Sequence, residues 1–364
     1  MKDKLPVYFF DPVANDRESK IRGIGRYVES LYDCFADSCH FVSDVKEVPF
    51  NSIFINPFFD LFKKPLTYRR IAKIQIAVIH DLTPLIYWEK FPVGIKGRLT
   101  ELLNRYLIHK TYDNIITDSK SSKRSIVDMI GLNKDNVQII YPMVTNTFLT
   151  HLSSVKNEKP KTFPQLESFT SPPQYCLYVG DVTWNKNIVN IAKAIKIANV
   201  HCVFSGKHFI RSKMNKFLIN KKKFYNPWLE ELFSFYQEIE NDKRFILAGF
   251  TSDKDLIKLY RNAECNLLLS RSEGFGYPFA ESGICKTPSI LSNISVFREI
   301  AHDNAIFADP EDPLSISDAI KSIFNDKEKR KIYSQKAYDR ACHFNKNEFK
   351  SQFFSIIQEL LKKL

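Results

Sequence analysis

The stretch Leu267-Leu268-Leu269-Ser270-Arg271-Ser272-Glu273-Gly274-Phe275-Gly276-Tyr277-Pro278-Phe279-Ala280-Glu281 decides how the rest of the chain is read. The apolar run at its start predicts a buried strand, Asn266–Leu269. Pro278 fits the first turn of a helix, where a missing N–H costs nothing. Between them, Gly274 and Gly276 let the backbone approach a ligand closely. The free N–H groups of the helix start would point at an anion such as a phosphate. Glu273 falls before the turn and Glu281 about one turn into the helix, so the pair can accept hydrogen bonds from sugar hydroxyls. The plainer reading makes Glu273 a helix cap and Glu281 an exposed helix residue.

Working outward, the same strand–loop–helix unit repeats. Strands are predicted at Val7–Phe10, Ser52–Ile55, Ile74–Ile79, Asn114–Thr117 and Val137–Ile140. Ile24, Tyr27, Val28, Leu31 and Phe35 are spaced as one apolar helix face. Residues 151–173 hold four prolines and little periodicity, which reads as a linker. The alternation then resumes with strands Tyr175–Val179, Cys202–Ser205, Phe245–Ala248 and Ser289–Leu291, and helices from Asn187 and Asp253. Such alternation implies parallel sheets covered by helices. The expected fold is α/β, with two doubly wound domains, 1–165 and 166–344. An amphipathic helix over 345–364 can pack back on the first. Ligands bind at the carboxyl ends of strands in open α/β sheets, and two such domains facing each other form a central cleft.

Composition narrows the class. The chain has 364 residues, 30 Phe and only 11 Gly, which suits a large ordered core. No apolar run approaches the ~18 residues of a membrane span. The apolar stretch before Asp11 fits a first strand better than a signal-peptide core. Seven cysteines without a C-x-x-C pair point to reduced, mostly buried thiols and a cytoplasmic protein. A net charge of +12 calls for an anionic partner. Lys207, Arg211, Lys213, Lys216 and Lys221–Lys223 concentrate that charge among Phe209, Ile210, Phe217, Leu218 and Phe224. The segment Lys207–Phe224 suits an anionic membrane surface or a solvated face. No helix-turn-helix, zinc-finger or ribonucleoprotein motif supports a nucleic-acid partner.

Glu273-x7-Glu281 with Gly-Phe-Gly inside resembles the signature of retaining glycosyltransferases of sequence family 4, which have the GT-B fold. Other pieces follow in the same order: Gly23-Ile24-Gly25-Arg26-Tyr27, His80-Asp81-Leu82-Thr83-Pro84, Asp118-Ser119-Lys120-Ser121, and Tyr178-Val179-Gly180 with Lys186-Asn187. The resemblance implies an N-terminal acceptor-side domain and a C-terminal nucleotide-sugar-binding domain. It implies catalytic roles for His80, Lys186 and Glu273: His80 contacts the donor sugar, Lys186 stabilises the departing diphosphate, and Glu273 holds the transferred sugar with the Phe275 and Gly276 amides. It implies that Glu281 binds the nucleotide ribose. Donor-binding loops would comprise Gly23, Gly25, Gly180, Asp181, Gly206, Lys207, Gly274, Phe275, Gly276 and Glu281. The arginine that the family pairs with its lysine has no counterpart, because Asp181 follows Gly180. Lys207 and Arg271 are candidates for its place.

The GIGRY and HD motifs look like bacterial mannosyl- and related transferases of O-antigen assembly. The implied reaction moves a hexose, foremost mannose from GDP-mannose, to a lipid-linked or oligosaccharide acceptor. No cofactor or metal is expected. Asp253-Lys254-Asp255 matches a metal-binding D-x-D pattern but falls at a helix start, where Asp is a common cap. The alternatives are another GT-B enzyme, such as a sugar-nucleotide epimerase or an inverting transferase, and a non-enzymatic basic protein that binds nucleic acid or lipid.

Overall fold

The computed structural model describes residues 5–14, 23–155, 173–214 and 229–363. The chain forms two compact units. The first comprises Met1–Trp88, Pro92–Asn146 and Phe344–Leu364, and the second Glu89–Phe91 and Thr147–His343.

In the first unit, β1 (Val7–Phe10), β2 (His40–Val42), β3 (Ile53–Asn56), β4 (Ile74–Val78), β5 (Asn114–Thr117) and β6 (Val137–Ile139) form one sheet in the order β2-β1-β3-β4-β5-β6. Every pairing is parallel. Strands β3, β4 and β5 are buried along their whole length. That is why they read as continuous apolar runs and not as alternating ones. Edge strand β2 has three residues and left no such run in the sequence.

Helix α1 (Gly23–Phe35) buries Tyr27, Val28, Leu31, Cys34 and Phe35. The placement of Gly23 and Gly25 in a donor-binding loop is corrected here, because both lie in the helix. Its apolar face already starts around Ile24, so helical geometry extends back over both glycines. Two further helices of this unit are α2 (Gly94–Thr111) and α3 (Lys120–Ile130). The C-terminal helix Lys346–Lys362 starts where the Asn345 side chain accepts hydrogen bonds from the Asn347 and Glu348 amides. It buries Phe349, Phe353, Ile356, Ile357 and Leu360. They join Phe9, Leu31 and Phe35 in one core cluster. The Phe353 ring lies 5.5 Å from that of Phe35 and 5.1 Å from that of Phe349.

Helix α4 (Asn146–Ser154), with Phe148 buried, runs into the stretch read as a linker, so its first residues are helical. Residues 156–172 lie outside the described ones. The second unit carries β7 (Tyr175–Val179), β8 (His201–Ser205), β9 (Phe245–Gly249), β10 (Cys265–Leu268), β11 (Ser289–Ser292) and β12 (Ile306–Ala308), ordered β12-β11-β10-β7-β8-β9. These pairings are also parallel. The chain moves outward from β7 through β8 to β9. It then returns to the other side of β7 at β10. The neighbours β7 and β10 therefore flank a topological switch point, the place where open α/β sheets bind ligands. Helices α5 (Ile188–Ala198) and α7 (Tyr277–Ile284) start just beyond these two strands, and α6 (Asp253–Asn262) precedes β10.

All seven cysteines are free thiols, and five of them are buried. Among the described residues no helix is long and apolar enough to cross a membrane.

Deleting a fully buried aromatic ring costs about 3–5 kcal/mol. Phe353→Ala should therefore lower the first unit's resistance to urea, followed by tryptophan fluorescence and circular dichroism. An unchanged unfolding midpoint would show that the C-terminal helix contributes nothing to that core.

Candidate functional site

Two loops meet at the switch point of the second unit. After β7 the chain turns at Gly180. The Tyr178 hydroxyl donates to the Asp181 carbonyl at 2.7 Å and closes the turn. A Cβ on Gly180 would lie 2.8 Å from that hydroxyl. A single 3-10 turn, Trp184–Lys186, leads to Asn187, which takes the left-handed conformation at φ 60° just before α5. Asn187 is fully buried. Its Nδ2 donates to the carbonyls of Leu269 (3.0 Å) and Pro310 (2.6 Å). The Arg271 amide donates to the Asn185 carbonyl at 2.7 Å, and Asn185 Nδ2 donates to the Ser272 carbonyl at 3.0 Å. The loop after β7 is thus tied to the loop after β10.

That stitching sets Lys186 Nζ 2.6 Å from Glu273 Oε1. Ser270 Oγ donates to the same carboxylate oxygen at 2.7 Å. Glu273 is therefore not the cap of α7. Gly276 occupies that position, without a side-chain cap. With side-chain exposures of 23% and 12%, Lys186 and Glu273 still reach solvent, so a ligand can touch both.

Arg271 answers one open question from the sequence. Its Nε donates to Glu311 Oε1 at 2.7 Å, and its Nη1 to the Trp184 carbonyl at 2.6 Å and to Glu231 Oε1 at 3.3 Å. The guanidinium also sits 4.9 Å from the centre of the Trp184 ring. Burial raises the Glu231 carboxyl above its usual range, and the Arg271 charge opposes that shift only in part. With two carboxylates, a carbonyl and an indole around it, Arg271 holds the Lys186 loop in place. It is not the free cation the family arginine would supply. Lys207 follows Gly206 directly at the end of β8.

Two glycines are dictated by space. A Cβ on Gly206 would stand 2.2 Å from the Gly180 carbonyl oxygen. Gly276 has φ 102°, and a Cβ there would meet Leu268 and Phe297 at 2.9 Å. The Phe275 side chain is buried, with its ring edge-on to Tyr277 at 5.7 Å. Glu281 is 5% exposed, and the Tyr260 hydroxyl donates to its Oε2 at 3.4 Å. The reading of Glu281 as an exposed helix residue is thereby corrected. Glu281 lies on the buried side of α7, with Phe279, Ala280, Ser282 and Gly283 also buried. Asp181 Oδ1 accepts from the Val182 amide at 2.9 Å, with His208 Nε2 3.8 Å away.

In the first unit, His80 follows β4 and Asp118 follows β5. His80 Nδ1 lies 2.7 Å from Asp118 Oδ2, and Nε2 lies 3.1 Å from the Pro57 carbonyl. Tyr27 packs edge-on against the imidazole at 4.7 Å. Nε2 faces a carbonyl and donates to it, while at Nδ1 the ring and the Asp118 carboxyl share one proton. Burial raises the Asp118 carboxyl above its usual range, opposed by the His80 charge and hydrogen bond. Burial alone would lower the His80 pKa. The Asp118 charge and hydrogen bond, helped by Asp81 and the Pro57 carbonyl, overcome this and raise it. Both ring nitrogens are engaged within the first unit.

The D-x-D pair starts α6, but Ser252 is its cap. The Ser252 hydroxyl accepts from the Asp255 amide and donates to the Asp255 carboxylate at 2.7 Å. Among the described residues no three His, Cys, Asp or Glu side chains converge as a metal site.

Two doubly wound units with parallel six-stranded sheets make the GT-B fold of glycosyltransferases. Solved structures of that fold align over the whole chain. Sucrose-phosphate synthase from Thermosynechococcus elongatus aligns with a TM-score of 0.69 at 13% identity, covering 99% of this chain and 100% of that one. Anabaena HepE in complex with UDP aligns with a TM-score of 0.68 at 13% identity, covering 99% and 100%. The chain belongs to the family glycosyl transferases group 1, which matches residues 159–340, half its length. The O-antigen chain mannosyltransferase B of Escherichia coli is 25% identical over 280 residues, covering 74% of this chain and 66% of that protein. The O-antigen chain mannosyltransferase RfbU of Salmonella typhimurium is 24% identical over 256 residues, covering 70% and 62%. The chain thus spans just under two thirds of these curated relatives.

A histidine raised above its ordinary 6.5 by a native partner stabilises the fold fully below that value. The contribution is lost as pH rises through the higher folded-state value. Asp118→Asn should flatten that alkaline slope and bring the His80 titration down, read by NMR of the imidazole. Identical His80 titration in both proteins would contradict the pairing.

Proposed function

We propose that this chain transfers a hexose from a nucleotide sugar, with retention of configuration, to a lipid-linked or oligosaccharide acceptor in surface-polysaccharide assembly. The observation that carries the proposal is the Lys186–Glu273 pair at the β7/β10 switch point. Relatives named O-antigen mannosyltransferases favour mannose, from GDP-mannose, as the sugar. The UDP complex of the HepE structure supports a nucleoside diphosphate as the recognised moiety.

In this reading the bond from the anomeric carbon to the diphosphate breaks, and negative charge grows on the departing phosphate. Lys186 and the amides around Gly274 and Gly276 meet that charge, fixed in advance by the stitched loops. The acceptor hydroxyl attacks from the face the phosphate leaves and gives its proton to a phosphate oxygen. Glu273 orients the sugar hydroxyls while Ser270 and Lys186 hold its carboxylate. Glu281 accepts from the ribose, and Gly180, Asp181, Gly206 and Lys207 border the diphosphate. His80 is assigned to contact with the donor sugar. Gly23 and Gly25, within α1, are assigned to the donor-binding residues by the family resemblance alone. The donor binds without a metal ion.

Such an enzyme would work peripherally at the inner face of the cytoplasmic membrane. The basic segment proposed for that surface, Lys207–Phe224, falls partly on residues 215–228, outside the described ones. Of its described cations, Arg211 donates to the Phe245 carbonyl at 3.0 Å and so braces the sheet.

Removing a preorganised donor of this kind costs about 10²–10³-fold in kcat. Lys186→Ala should show a loss of that size, measured by mass spectrometry against a panel of nucleotide sugars. Glu281→Gln should lose roughly tenfold or more through weaker donor binding. Both variants should melt like the wild type, and activity should survive EDTA. Wild-type turnover in both variants would overturn the site.

A further inference from the structure

Helix α2 is built inside out. Its buried residues include Glu101, Asn104 and Thr111, beside Leu107 and Ile108. Asn104 Nδ2 donates to the carbonyls of Leu61 and Lys63, each at 2.8 Å. Glu101 pairs with Arg105, which also donates to the Met129 carbonyl. The opposite, solvent-facing side carries Ile95 (83% exposed), Leu99 (63%), Leu102 (61%) and Tyr106 (57%). At about 100° per residue these four fall within an arc of roughly 60°. A soluble surface helix places these residue types the other way round.

The flanks of this apolar stripe are cationic. Lys96 and Lys110 lie on one side and Arg98 on the other, all exposed. The helix's single acid, Glu101, is buried on the far face. Two amphipathic aromatics, Trp88 beside the stripe and Tyr106 within it, each carry a cation near the ring. The Arg98 guanidinium lies 5.1 Å from the Trp88 ring centre, and Lys110 Nζ 5.5 Å from that of Tyr106. Trp88 is itself 54% exposed.

We propose that this face of α2 docks the protein on an anionic phospholipid surface, with Ile95, Leu99 and Leu102 entering the acyl boundary. Lys96, Arg98 and Lys110 would stay at the headgroups, and Trp88 and Tyr106 at the interface, where such rings accumulate. The same charges argue against self-association. Two copies meeting through this stripe would press like charges together at both rims. The surface is distinct from Lys207–Phe224. It deepens the membrane-side reading above, but its test does not depend on turnover.

The test is co-sedimentation of the full chain with vesicles of equal parts phosphatidylglycerol and phosphatidylcholine, and with pure phosphatidylcholine. Wild type should bind the anionic vesicles at least about tenfold more tightly. The double variant Leu99→Glu/Leu102→Glu should lose at least about tenfold of that binding. Its melting temperature and its donor hydrolysis should stay at the wild-type level, because these side chains are exposed. The milder triple variant Lys96→Gln/Arg98→Gln/Lys110→Gln keeps the stripe and should lose the preference for anionic lipid. Undiminished vesicle binding by the double variant would overturn the proposal. So would equal binding to both vesicle types, or a wild-type dimer that the double variant dissociates in light scattering. Vesicle binding retained by Lys186→Ala separates failure of this surface from failure of the transferase reading.

Discussion

Asn187 adopts a left-handed backbone and buries its side chain completely, donating to the carbonyls of Leu269 and Pro310. A buried carbonyl without a donor costs about 1–3 kcal/mol, so these bonds fix the loop before α5 against the loop after β10. Asn185 and Arg271 add two backbone-level ties across the same gap. Only with the loops held so does Lys186 stand beside Glu273. The Arg271 guanidinium then braces the loop from behind, between Glu231, Glu311 and the Trp184 ring. The charges at the site are oriented before any ligand arrives. A stabiliser of developing negative charge needs that property, since reorganisation during the reaction would raise the barrier.

The two glycines at the same end of the sheet follow from the same constraint. Gly206 brings the loop after β8 against the Gly180 carbonyl, closer than any side chain allows. Gly276 turns the chain into α7 through a left-handed conformation against Leu268 and Phe297. Both positions let the backbone at the carboxyl end of the sheet pack closer than a side chain would allow.

Much of this was legible in the sequence, for definite reasons. Central strands such as Ile74–Val78 are buried on both faces and therefore stand out as apolar runs. Lys186 sits in a short motif with Gly180, and Glu273 and Glu281 in another with Gly274 and Gly276, so each is legible from its own local stretch. The supporting residues were not legible. Glu231 and Glu311 reach Arg271 from 40 positions away on either side, and Asp118 reaches His80 from 38. Nothing in the sequence marks such pairs. Edge strands β2 and β12, three residues each, are too short for a periodic signal. Gly23 and Gly25 read as a loop through the resemblance of Gly23-Ile24-Gly25-Arg26-Tyr27 to the family motif, yet the helix face around Ile24 and Tyr27 governs them. The outward apolar stripe of α2 was missed for a related reason. Ile95, Leu99, Leu102 and Tyr106 have the spacing of a core face, and spacing does not tell which side faces water.

The central claim is that the loops after β7 and β10 together form the nucleoside-diphosphate site. Hydrogen–deuterium exchange of the full chain, with and without GDP and UDP, tests it most directly. The account predicts slowed amide exchange in 180–187 and 270–278 on binding of at least one of them. Protection confined to the first unit, or none at saturating nucleotide, would contradict it.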